Sequence, residues 1–170
     1  MIRLTLALAL LAAPALAQPG PPQAAPTQEV TRHRNPGSNF PIAMAVEVPA
    51  GRTTVLVSGM VPPVVNREAG GNTLAAFGDT RVQTKGVLDR IEAALRSINL
   101  SLGDVVRMQV FLVGDPDRGG RMDFDGFMAA YVERFGNASQ PNVPARSVMQ
   151  VAGLVNPGWL VEIEVTAVRP

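Results

Sequence analysis

The chain has 170 residues, 46% of them hydrophobic, and a formal net charge of +1. That length bounds it to one domain with extensions, and the apolar fraction suffices for a core. A charge this close to zero argues against a nucleic-acid surface, and the absence of cysteine excludes disulfides, zinc–thiolate sites and cysteine nucleophiles.

The first residues read as an address. Met1-Ile2-Arg3 supplies a positive start, residues 4–13 are an apolar run, and Ala15-Leu16-Ala17 is a small-x-small cleavage site before Gln18. The run is short for a permanent membrane helix. Residues 1–17 are therefore expected to be a signal peptide, with an uncleaved anchor as the alternative. The mature protein is expected in the periplasm or secreted, without stable membrane association. Residues 18–38, rich in Pro, Ala, Gln and Thr, read as a flexible linker. The only histidine, His33, lies in that linker, so the fold offers no Ser-His-Asp triad. Lys85, the only lysine, falls on a predicted helix as a solvated residue. Scattered carboxylates give little reason to expect a metal, and no cofactor motif stands out.

The domain is expected over residues 39–170. Residues 42–48 and 53–61 read as two strands joined by the turn Pro49-Ala50-Gly51-Arg52, forming a hairpin. A long loop follows. Its Gly70-Gly71-Asn72 lacks the Lys-Ser/Thr of a phosphate-binding loop. Asp79 or Thr80 caps a helix whose stripe is Val87, Leu88, Ile91, Ala94, Leu95 and Ile98. Residues 105–113 alternate, with Val106, Met108, Val110 and Leu112 opposite Arg107, Gln109 and Phe111. Asp123 caps a second helix with the stripe Phe124, Phe127, Met128, Tyr131, Val132 and Phe135, closed by Gly136. Two more strands, 144–151 and 161–168, complete a ββαβαββ order. That is an α+β fold, a mixed sheet with two helices on one face.

In the strand over 144–151, Arg146, Val148 and Gln150 share a face; in the last strand Glu162, Glu164 and Thr166 do. The link between them contains the turn Asn156-Pro157-Gly158. If the two strands are antiparallel neighbours, an arginine and carboxylates meet on one surface. From spacing alone, an exposed ion pair of little energetic weight is the more ordinary reading.

Pro144-Ala145-Arg146-Ser147, with the ending Val161-Glu162-Ile163-Glu164-Val165-Thr166-Ala167-Val168-Arg169, resembles the C-terminal signature of the RidA/YjgF (Rid) family. Val57-Ser58-Gly59, Gly78-Asp79-Thr80 with Gln83-Thr84, Gly103-Asp104-Val105-Val106, and Tyr131 before Phe135 match in order, from about Asn39 onward. The resemblance implies a chorismate-mutase-like fold. It further implies a homotrimer with a central barrel and pockets between subunits, and hydrolysis of 2-imino or 2-enamine acids to 2-keto acids and ammonia without a cofactor. Arg146 matches the residue that binds the substrate carboxylate, and Glu162 the acid that positions the attacking water. Ser58 and the Val148 backbone carbonyl match the polar edge of the pocket. Ile42 and Met128 stand where the family often has tyrosine and asparagine, so the expected pocket is less polar. Some members have been called ribonucleases, which the charge and the missing histidine disfavour. The competing expectation is a non-catalytic trimer that binds small carboxylated metabolites.

Overall fold

The computed structural model describes residues 29–170. The expected signal peptide and the first part of the expected linker, up to residue 28, lie outside the described residues.

In chain order the elements are strands β1 (Thr31–His33), β2 (Ala45–Glu47) and β3 (Thr54–Met60), helices α1 (Leu74–Phe77) and α2 (Thr80–Ser97), strand β4 (Val105–Val113), helix α3 (Phe124–Tyr131), and strands β5 (Ala145–Val151) and β6 (Val161–Val168). From β2 onward, and apart from the single turn of α1, this is the expected ββαβαββ sequence. The main sheet runs β3-β6-β4-β5, with β3–β6 and β6–β4 antiparallel and β4–β5 parallel.

Periodicity explains the helices and the layering. Asp79 accepts the Val82 amide at 2.8 Å and starts α2, whose Val87, Leu88, Ile91 and Leu95 are wholly buried. They pack with Met108, Val110 and Leu112 of β4 and Val161, Ile163 and Val165 of β6 in one core. Gln83, also fully buried, ties the start of α2 to the approach of β6. Its amide donates to the Gly78 and Gly158 carbonyls at 2.9 and 3.0 Å, and its oxygen accepts the Leu160 amide at 2.7 Å. Asp123 caps α3 by accepting the Gly126 amide at 3.0 Å.

Four expectations need correction. Residues 45–47 do not form a hairpin with β3; they pair antiparallel with β1, while β3 takes β6 as its partner. Part of the stretch read as linker is thus ordered as β1, and Arg32 donates to the Gly103 and Val105 carbonyls at 2.9 and 3.2 Å. Strands β5 and β6 are not neighbours, because β4 lies between them. Helix α3 stops at Tyr131, where the carbonyl accepts both the Arg134 and the Phe135 amides at 3.0 Å and tightens the chain before Gly136 at φ +72°.

Candidate active site

Register decides which side chains meet. Arg146 pairs with Met108 and Val148 with Val110, and both β4 partners are buried beneath the helices. Arg146 and Val148 therefore share the helix-covered face. Glu162 pairs with Phe111 and Glu164 with Gln109, so these carboxylates lie on the opposite face. The expected shared surface of arginine and carboxylate is absent within one chain. The physical reason is the interposed β4 together with the parity of its two registers.

On the helix side, Arg146 is enclosed. Its guanidinium carbon stands 4.1 Å from the ring centre of Tyr131, 5.0 Å from Phe127 and 5.6 Å from Phe40. These are cation–π distances. The Nη2 atom donates to the Met128 sulfur at 3.2 Å, a weak acceptor, and Nη1 is buried with no hydrogen-bond partner. Burial lowers the Arg146 pKa below the usual arginine value, with Tyr131 opposing the shift. Burial likewise pushes the Tyr131 hydroxyl up to about 12, against the pull of the Arg146 and Arg34 charges. A buried cation with one unpaired nitrogen is costly alone. A planar carboxylate is the partner whose two oxygens match two guanidinium nitrogens.

The strap preceding β2 closes this box. The Tyr131 hydroxyl donates to the Pro41 carbonyl at 2.9 Å, the Ile42 amide to the Phe40 carbonyl at 2.8 Å, and the Ala43 amide to the Pro144 carbonyl at 3.0 Å. Ala43 thereby forms a parallel bridge with Ala145 at the outer edge of β5. Ile42 is half-buried on this strap, and Val148, also half-buried, packs against the core from the edge strand. Phe40, Phe127 and Tyr131 were not singled out as site residues. The latter two read as core stripe, and Phe40 carries no periodic signal.

The opposite face is open. A cleft of about 290 Å³ is lined there by Leu56, Ser58, Arg107, Gln109, Glu164 and Thr166 among others, and Leu56 is 79% exposed. Ser58 follows Thr54 and Leu56 on the exposed face by alternation; β3 then bulges between Val57 and Met60, and Gly59 lies against Glu162. The predicted residues thus divide into two half-sites: Arg146, Met128, Val148 and Ile42 at one edge, and Ser58 and Glu162 across the sheet. Among the described residues no group of three or more His, Asp or Glu side chains is arranged to hold a metal ion.

Comparison with known proteins agrees with this architecture. A RutC family protein of Haemophilus influenzae is 32% identical over 143 residues, covering 84% of this chain and 98% of that protein. The Rid-family protein YyfB of Yersinia pestis superposes with a TM-score of 0.60 at 25% identity, over 81% of this chain and 97% of that one. The serine-bound TdcF protein of E. coli superposes at 0.54 with 30% identity, over 81% and 94%. The sequence profile of the Endoribonuclease L-PSP family matches residues 38–169, which spans the main sheet and both long helices. With that match covering most of the chain, and relatives aligned over nearly their whole length, the protein belongs to the RidA/YjgF (Rid) family.

Proposed function

We propose that this protein is a hydrolytic deaminase of 2-imino and 2-enamine carboxylic acids, acting in a site completed between copies of a homotrimer. The observation that carries the reading is the Arg146 guanidinium, held among three rings with a buried, unpaired Nη1. Such a group is prepared for one carboxylate, and the solved relative with bound serine is itself occupied by a carboxylated amino acid.

The chemistry asks little more. After tautomerisation of any enamine, water adds to the electrophilic C2 of the imine, and the carbinolamine collapses to a 2-keto acid and ammonia. Arg146 anchors the carboxylate with both terminal nitrogens, the Met128 sulfur being easily displaced. Glu162 orients the water and takes its proton, a contribution of about 10²–10⁴-fold in general-base catalysis. Because Glu162 faces away from Arg146 in one chain, it comes from a neighbouring copy, together with Ser58. The Val148 carbonyl completes the polar edge, since β5 is the outermost strand and largely unpaired on its far side. Ile42 leaves the substrate side chain an apolar wall. A second reading, a trimeric binder of small carboxylated metabolites, rests on the same separation: each copy alone has the anchor without the acid.

A coupled assay tests the proposal. An amino-acid oxidase generates imines from a panel of amino acids, and keto-acid release is followed with and without the protein. Wild type should accelerate release and Arg146→Ala should fall to the uncatalysed rate. Equal rates for the two proteins refute the deaminase and leave the binder. The same reading takes the mature chain to be exported. Material recovered by osmotic shock should then begin at Gln18 and show the light-scattering mass of three chains; an intact Met1 or a monomer mass refutes that part.

A further inference from the structure

The walls around Arg146 differ in their freedom. Phe127 and Tyr131 are completely buried in the core and cannot move without disrupting it. Phe40 is 42% exposed, the one ring of the three that reaches solvent, and its centre lies 5.6 Å from the guanidinium. Its backbone is nonetheless fixed. The Phe40 amide donates to the Ser38 hydroxyl at 3.2 Å, and its carbonyl accepts the Ile42 amide at 2.8 Å across Pro41. Pro41 in turn is held by Tyr131 at 2.9 Å. A pinned backbone with an exposed ring leaves one freedom, rotation of the side chain about its own bonds.

We propose that Phe40 is the specificity-determining wall of the carboxylate site, its ring lying against the bound ligand and favouring substrates with apolar side chains. This rests on the reading of Arg146 as a carboxylate anchor. A ligand reaching the buried Nη1 enters past the exposed wall, because the other two rings are sealed in the core. A 2-imino acid is planar and conjugated from carboxylate to imine, a shape that lies flat against an aromatic face. Ile42 stands two residues further along the same strap, so a side chain leaving the ligand's C2 meets an apolar strip.

The test compares Phe40→Ala and Phe40→Tyr with wild type on imines made by an amino-acid oxidase from leucine and from serine. Calorimetry with the corresponding 2-keto acids, 4-methyl-2-oxopentanoate and hydroxypyruvate, runs alongside. Phe40→Ala should raise KM for the leucine-derived imine about tenfold, the scale of one lost aromatic contact. It should leave kcat within about twofold, the mark of a uniform binding loss. KM for the serine-derived imine should change much less, and Phe40→Tyr should restore the wild-type preference. Unchanged KM values, or equal rises for both imines, overturn the proposal. If wild type turns over neither imine, the deaminase reading fails and the keto acids decide. Selective weakening of 4-methyl-2-oxopentanoate by Phe40→Ala supports the role of Phe40. Equal weakening, no weakening or no binding to wild type overturns it.

Discussion

Gly59→Ala isolates the placement of Glu162 from its chemistry. A Cβ at Gly59 would overlap the Glu162 carboxylate oxygen and stand 2.8 Å from its Cδ and 3.1 Å from its Cγ. The backbone at Gly59 is not in the left-handed region, so alanine is permitted there and the conflict is with one side chain alone. That side chain is flexible and half-buried on an open face. Rotating it off its preferred rotamer costs about 0.5–1.5 kcal/mol. The loss of glycine's freedom in the unfolded chain returns about 0.4–1 kcal/mol. The net change is within about 1 kcal/mol, a shift of about 2–4 °C in Tm for a chain of this size. Catalysis should respond far more, because a displaced general base forfeits about 10²–10⁴-fold. In the oxidase-coupled assay Gly59→Ala should resemble Glu162→Gln, and the double variant should lose little more than either, as expected for residues acting through one group. A Gly59→Ala protein with wild-type kcat and near-wild-type melting would refute the role given to Glu162. A melting point lower by ten degrees or more, on the order of three times the loss expected here, would refute the claim that the side chain simply swings aside.

Two other predictions concern the frame around the site. Tyr131 is the only tyrosine, so ultraviolet absorbance reports its ionisation directly; its midpoint should lie near 12 rather than 10. Because the folded value is the higher one, this contribution to stability is complete below about pH 10 and is lost as pH rises through about 12. Tyr131→Phe should flatten the stability profile in that window, and a midpoint near 10 in the folded protein would contradict the burial argument. Gln83→Leu keeps the volume but orphans the Gly78 and Gly158 carbonyls and the Leu160 amide. At about 1–3 kcal/mol per buried unpaired group, urea denaturation should show a loss of about 3 kcal/mol or more. A loss below about 1 kcal/mol would mean that these groups find other partners.

The helices and core strands were legible because each carries a strong period: α2 starts at its Asp79 cap, and β4 and β6 have the expected bounds. The order of strands was not legible, since alternation records which residues share a face but not which strand lies alongside. That is why β2 was assigned to β3, and why Arg146 and Glu162 were expected on one surface. Their separation follows from two registers against β4, a tertiary fact with no local signature. Strand β1, Thr-Arg-His, has too little apolar content to stand out, and it owes its place to backbone pairing and to the bonds made by Arg32. The residues of the Arg146 edge were legible individually through the family signature. Their aromatic enclosure was not, because Phe127 and Tyr131 fit the helix stripe and Phe40 sits alone between Asn39 and Pro41.

The position of β6 governs how the chain can assemble. It comes last of the described strands, yet it lies inside the sheet between β3 and β4. Until residues 161–168 arrive, β3 has no sheet partner and β4 offers a bare edge, so the sheet cannot close progressively as the chain grows. The pairing of Thr54 with Val168 closes a loop across nearly the whole domain, the kind of distant contact that slows folding. A shortened chain lacking β6 would therefore be no smaller version of the domain, but two exposed strand edges prone to pair with other chains. With its central strand supplied last, the growing polypeptide stays open and cannot lock its sheet until residues 161–168 are available.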